Sequence, residues 1–183
     1  MSTKKRVSKE QWLSAALEAL LEGNIENVKV EKLARQLNIS KSGFYWHFKD
    51  RNDLLNEILE FWSREYTEVI AGNKELRKLN PKERLFTIMN VIQDYKLARY
   101  DAAMRAWALN DQVAYKAVKN VYKIRNDYIK GVFSELSFKG DDLDMRTRLF
   151  VVYHSWELAM YDEASTTKLG KLLKLRLELL TKK

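Results

Sequence analysis

The chain has no cysteine, which excludes a disulfide framework and any thiolate metal site. It has one proline and six glycines in 183 residues. So thin a supply of breakers belongs to a mostly helical chain. No apolar run reaches the roughly 18–20 residues that a membrane span needs. The N-terminal stretch Met1 to Arg6 is basic, but no apolar segment follows it, so it does not read as a secretory signal. Only two histidines are present. No nucleophile–base pair, phosphate-cradling glycine loop or metal-ligand spacing can be assembled. The expectation is a cytoplasmic helical protein that is not an enzyme and needs no cofactor or metal.

What is present is a globular composition, 46% hydrophobic and 11% aromatic. A chain of this length hides roughly two-thirds of its unfolded surface, enough for a core without staples. Charge is unevenly placed. Residues 1–51 hold ten Lys and Arg against six Asp and Glu, which is half of the net charge of +8 on just over a quarter of the chain. A concentrated basic segment is an electrostatic footprint for polyanions, nucleic acid first among them.

Helical periodicity and caps divide the chain into about nine helices. Ser8 and Gln11 form a capping box for a first helix striped by Leu13, Ala16, Leu17, Leu20 and Leu21, with Gly23 expected in a left-handed C-terminal position. Val30, Leu33, Ala34 and Leu37 share one face of a short second helix. Asn38 tolerates positive φ, and Ser40 is placed to cap a third helix from Lys41 to His47. Asp50 caps a fourth, which keeps its period to Gly72 and would be about 30 Å long. Residues 73–79 read as a polar connector. Asn80, Pro81 and Glu83 restart a helix, Asp101 is placed to cap a short one, and Asp111 a long one to about Leu136. Helices from about Leu143 to Met160 and from about Thr166 to Leu180 complete the pattern.

Two helices of about two turns, joined by Leu37-Asn38-Ile39-Ser40, make a helix-turn-helix. Leu33-Ala34, Ile39-Ser40, Phe44-Tyr45 with His47-Phe48, and Asp53-Leu54-Leu55 stand at fixed spacing over roughly residues 8–60. This segment resembles the DNA-binding signature of the TetR family. Lys29, Asn38 and Arg51 depart from the residues usual in that family at those positions. Lys29 lacks a hydroxyl that would cap the second helix, though its ammonium suits a phosphate.

A major groove about 12 Å wide admits one helix, and the N-terminal side chains of that helix meet base edges. Here those are Lys41, Ser42 and Gly43, with Ser40 just before them. Lys41 is placed to donate to guanine, and Gly43 lets the backbone press close. Tyr45 and His47 are candidate phosphate donors, a use the resemblance also implies, and the rival role for both is closure of a small core with Phe44 and Phe48. Trp46 is divided evenly between the sugar edge and burial. Lys29, Lys49 and Arg51 suit backbone clamping, and Lys4, Lys5 and Arg6 a flexible arm near the minor groove.

The resemblance implies a DNA-binding domain at 1–50 and a helical effector-binding and dimerisation domain at 51–183, paired through the last two helices. Leu149, Val152, Tyr153, His154 and Met160 on one helix, and Leu172, Leu175 and Leu179 on the last, are the candidate interface. The final helix has more leucine than one stripe can bury within a protomer. Tyr95, Met104, Trp107, Tyr122, Phe133 and Trp156 are candidates to line an aromatic effector pocket. His154, near Glu157, reads either as an effector anchor or as a hydrogen-bonded interface residue.

The expected function is that of a nucleoid-associated transcriptional regulator. It would act as a repressor, a homodimer on double-stranded operator DNA, released by a small-molecule effector of unknown identity. The alternative is a DNA-organising protein of the same fold with dispersed sites.

Overall fold

The computed structural model of the chain describes residues 7–156 and 166–182. Lys4, Lys5, Arg6, Glu157 and Met160 lie outside the described residues. The described residues form two compact units, one within Met1–Arg64 and Ala103–Val118, the other within Glu65–Ala102 and Lys119–Lys183. Among the described residues there is no β-strand, as the lack of breakers and of alternating pattern requires.

The first unit opens with α1 (Lys9–Leu21), where Ser8 and Gln11 cap each other's backbone as a capping box. The expected left-handed residue at Gly23 is absent, since Gly140 is the described glycine with positive φ. A Cβ at Gly23 would meet only the Asn27 side-chain amide, which would have to turn aside. After a 3₁₀ turn (Ile25–Asn27) comes α2 (Val30–Gln36), which starts at Lys29 with no side-chain cap. Asn38 then takes φ 56° and reverses the chain. An amide side chain tolerates that region better than other non-glycines, so the turn is chemically specified.

The third helix differs from expectation. Lys41–Trp46 winds as a 3₁₀ helix, and Ser40 makes no side-chain cap. Its Oγ lies instead 2.7 Å from Ser42 Oγ. Gly43 disfavours α-winding, and a segment this short accommodates the tighter i→i+3 bonds. Asp50 accepts from the Asp53 amide and opens α3 (Arg51–Ser63). Leu54, Leu55 and Ile58 of α3 are buried in this unit beside α1, as are Met104 and Trp107 of the returning segment. The first compact unit therefore runs past residue 50, because α3 has an apolar face that α1 buries.

The chain continues from α3 through a π-helical turn (Arg64–Glu68) into α4 (Val69–Gly72). The polar connector at 73–79 contains a short α5 (Lys74–Lys78), capped by Asn73. Then follow α6 (Pro81–Asp94), α7 (Ala98–Ala108), α8 (Gln112–Glu135), α9 (Gly140–Trp156) and α10 (Thr166–Thr181). Asn80 and Asp111 cap α6 and α8 as their chemistry demands. Asp101 does not start a helix; it sits inside α7, buried and paired with Arg125.

The second unit is centred on Leu85, Met89, Phe133, Phe150 and Leu173, drawn from α6, α8, α9 and α10. Phe133 meets Phe138 and Phe150 edge-on at 6.1 and 6.2 Å, an arrangement favoured by ring quadrupoles. Arg84, itself buried, donates to the carbonyls of Leu76, Arg77 and Leu79 and to both oxygens of Glu135. It ties the α5–α6 connector to the end of α8.

Candidate nucleic-acid interface and effector cavity

The head core is Trp12, Leu33, Phe44, Phe48, Leu54 and Ile58, all fully or nearly fully buried. Phe44 meets Trp12 edge-on at 5.4 Å and stacks on Phe48 at 5.1 Å. In a 3₁₀ helix residues three apart eclipse one another. Lys41 therefore shares the line of buried Phe44, whereas Ser42 lines up with Tyr45, and Gly43 with Trp46. The result is an outward face on which Tyr45 is 64% and Trp46 85% exposed. Tyr45 and Trp46 lie outside the core, which is complete without them.

Lys41 leans back to Glu31 on α2, Nζ to Oε1 at 2.6 Å, and both side chains are more than half exposed. The ammonium beside it holds the Glu31 carboxyl below its ordinary range, first through the hydrogen bond and then through its charge. Nothing in the sequence pattern marks Glu31, although its place on α2 before the turn puts it opposite the start of the 3₁₀ helix. A Cβ at Gly43 would stand 3.1 Å from Ile39 Cδ1, so that methyl would have to give way slightly.

His47 faces inward enough for Nε2 to lie 2.9 Å from the Val7 carbonyl oxygen. A carbonyl can only accept, so Nε2 carries the proton there. Arg51 is placed differently from a backbone clamp: Nε donates to the Val28 carbonyl at 2.7 Å and Nη2 to that of Ile25 at 2.6 Å. It fixes the connector before α2. The Lys49 amide donates to Asp53 Oδ2 at 2.9 Å, and its side chain is exposed, as is that of Lys29.

Within the second unit, a small chamber of about 60 Å³ is lined by Thr67, Asp101, Arg125, Tyr128 and Ile129, among others. A wider cleft of about 500 Å³ includes Val69, Val91, Tyr95 and Tyr100. Tyr66, Ile70, Ile88 and Leu97 border both. Arg125 donates to both Asp101 oxygens at 2.6 and 3.1 Å, and its Nε to Thr67 Oγ1 at 2.9 Å. The Tyr128 phenol oxygen is buried with no hydrogen-bond partner among the described residues. Burial raises its pKa above the ordinary phenol value.

Of the six aromatic and Met candidates, Tyr95 borders the cleft, 69% exposed. The others stand elsewhere. Met104 and Trp107 are buried in the first unit, Phe133 is sealed in the second unit's core, Tyr122 packs against that core, and Trp156 is half-exposed on α9. Rings at helical spacing follow the core stripe, and cavity walls are set by where several helices diverge. Thr67, Asp101, Arg125 and Tyr128 carry no local signature that marks them as cavity residues.

His154 is buried inside the protomer, on the wall of the small chamber and not on the protomer surface. Nδ1 lies 2.6 Å from the Phe150 carbonyl, so it carries the proton, and Nε2 accepts from Arg176 Nη1 at 2.8 Å. Burial lowers its pKa to about 4. Leu149, Val152, Leu175 and Leu179 are at least half exposed, with Met145, Tyr153 and Leu172 also exposed on the same two helices. Arg176 lies over the Tyr153 ring at 3.9 Å.

These features define a helix-turn-helix protein with a helical body. Residues 13–58 match the model of the bacterial regulatory proteins of the tetR family. A tetracycline repressor of class D from Escherichia coli is 38% identical over 70 residues, 37% of this chain and 32% of that protein. The class G repressor of Vibrio anguillarum is 26% identical over 50% of this chain and 44% of its own length. The chain thus spans less than half the length of these curated relatives. Over the whole fold it is similar to a transcriptional regulator from Rhodococcus sp. Rha1, with TM-score 0.71 and 16% identity over 96% of this chain and 94% of that one. FadR from Bacillus subtilis, solved in complex with stearoyl-CoA, gives TM-score 0.70 and 18% identity over 96% and 98% of the two chains. The N-terminal segment is thus similar to the tetR-family regulators, and the described chain shares the fold of the solved structures.

Among the described residues no helix is long and apolar enough to cross a membrane, and no group of three or more His, Cys, Asp or Glu could hold a metal ion.

Proposed function

We propose that this chain is a dimeric, cytoplasmic, operator-binding regulator that represses transcription until a small molecule releases it. The observation that carries the reading is the outward face of the 3₁₀ helix, where Tyr45 and Trp46 project from a finished core. Large exposed rings are costly to leave in water without a partner, and beside Lys29, Lys41 and Lys49 that partner is a polyanion. Ser42 and Lys41 read base edges, Ser40 and Gly43 sit close to the groove, and Tyr45, Trp46 and the two other lysines hold sugar and phosphate. His47 and Arg51 act from behind, fixing the backbone that presents them.

The half-exposed apolar rows on α9 and α10 support a symmetric pairing with a second copy. Two heads then meet a palindromic operator at about one DNA turn, roughly 34–36 Å apart. An effector releases DNA only if it binds more tightly to a dimer with a different head spacing.

The test is selection of sheared genomic DNA by purified protein at near-physiological salt, followed by footprinting. A protected palindrome of about 15–25 bp, lost in Tyr45→Ala, is the expected outcome for two half-sites a turn apart. Many dispersed sites with no adjacent regulated gene would replace regulation by a DNA-organising role. Catalytic turnover without specific DNA binding would overturn both.

A further inference from the structure

Resting on the DNA-binding reading, we infer that His47 is a positioning residue. Through Val7 it fixes the point at which the basic segment Lys4, Lys5 and Arg6 leaves the head, and that segment adds phosphate contacts beside those of the 3₁₀ helix. Three observations carry this.

The first is how firmly the chain is held just after those cations. Val7 is buried, 5% exposed, and its carbonyl oxygen lies 2.9 Å from His47 Nε2. Ser8 and Gln11 close the capping box at the next residue. Lys9 Nζ then reaches Glu57 Oε1 on α3 at 2.5 Å and lies 5.6 Å from the centre of the Phe48 ring. Ser8 and Lys9 are thus fixed by α1 and α3, and His47 ties Val7 to the end of the 3₁₀ helix.

The second is position. His47 directly follows Tyr45 and Trp46, the two exposed rings of the outward face. Three residues of fully extended chain span at most about 11 Å. Lys4, Lys5 and Arg6 therefore stand within about that distance of the Val7 backbone, whatever path they take. Duplex DNA carries one charge per about 1.7 Å of its axis, so a duplex seated on Tyr45 and Trp46 brings several phosphates within their reach. No acidic residue precedes Glu10 in the chain to offset the three charges.

The third is the donor count. A neutral imidazole has one N–H. Nε2 spends it on the Val7 carbonyl, which leaves Nδ1 an acceptor that no phosphate can use. His47 in this tautomer serves the chain before α1 and not the DNA directly. Holding the root of a charged segment close raises its effective concentration at the phosphates without a new contact.

The test is a double-mutant cycle between His47 and the basic segment. The probe is a duplex of arbitrary sequence, and its affinity for the full chain is read by fluorescence anisotropy at about 50 and 200 mM KCl. Neutralising Lys4, Lys5 and Arg6 to alanine should flatten the salt slope by up to about three per head. His47→Phe, which keeps a ring and loses the donor, should weaken binding about three- to ten-fold, the share of one hydrogen bond. His47→Gln, which places an amide N–H near the Nε2 position, should restore most of that loss. In the neutralised background His47→Phe should cost less than about two-fold, because the segment it positions no longer carries charge. Melting of each variant verifies folding, and the cycle is read well below every transition. Losses that simply add would make His47 a direct DNA contact or a general fold residue and overturn the inference. So would a salt slope indifferent to the neutralised segment, or His47→Gln as weak as His47→Phe. Tyr45→Ala is carried in parallel to keep the two readings apart. If it weakens binding while the cycle shows no coupling, the DNA-binding reading stands and the positioning role falls. A wild type that does not bind the duplex at the lower salt overturns both.

Discussion

Arg51 and Val28 are joined by a 2.7 Å hydrogen bond from Nε to the carbonyl oxygen, and Nη2 of the same guanidinium reaches Ile25 at 2.6 Å. Two charge-assisted bonds converge on the connector that sets the start of α2. Arg51→Ala leaves two carbonyls without those donors and should lower stability by about 2–4 kcal/mol. A lysine cannot reproduce the fork, so Arg51→Lys should recover less than half of this. Urea unfolding measures both. A clamp on phosphate would instead lower DNA affinity at constant stability.

Lys41 is held by Glu31 in the free protein, 2.6 Å apart. DNA must draw the ammonium from that carboxylate. Glu31→Gln should therefore tighten binding to all DNA, because it frees Lys41 and removes a carboxylate that repels the polyanion. Lys41→Ala should relax sequence choice, whereas Trp46→Ala and Tyr45→Ala weaken all sequences alike. Titrations on specific and scrambled duplexes at two salt concentrations separate these. Equal losses on both duplexes for Lys41→Ala would remove it from base reading.

Leu149 and Leu175 are half-exposed on α9 and α10. A carboxylate at either place is accommodated in a lone protomer but would be buried in the proposed four-helix contact. The double variant Leu149→Glu, Leu175→Glu should sediment as a monomer at micromolar concentration with helicity retained, and should bind operator far more weakly. A dimer that persists in this variant would locate the interface elsewhere.

His154 gives a pH dependence of known sign. Its folded pKa lies at about 4, below the ordinary value near 6.5. The unfolded chain thus takes up the proton first as pH falls. Stability is full above about 6.5 and declines through the window down to about 4, with roughly 2 kcal/mol lost by pH 5. His154→Asn should melt lower at pH 7, since it lacks the ring packing on Phe150, but its Tm should fall less between pH 7 and 5. Parallel declines in the two proteins would show that His154 titrates normally.

Much of the fold is legible in local chemistry. Ser8, Asp50, Asn80 and Asp111 cap the helices that their positions predict, and Asn38 adopts the positive φ that its place in the turn requires. Caps and turns depend on a few neighbouring residues, so their outcome can be read along the chain. The apolar stripes likewise locate the cores, since a helix must bury its apolar face somewhere.

Long-range geometry is not legible in this way. Asp101 has the composition of a cap, yet a guanidinium 24 residues away claims it inside α7. Ser40 also looks like a cap, but the 3₁₀ winding after it turns its hydroxyl to Ser42. Tyr128 and Val132 lie on the same face of α8 by spacing. One lines a cavity and the other is sealed in the core, depending on which helices close over each. Sequence by itself determined the helical class, the turn and the resemblance of the N-terminal segment, because those rest on spacing and on short-range bonds. Tertiary structure decided which polar groups are paired, buried or presented, because those outcomes depend on partners that only packing brings together.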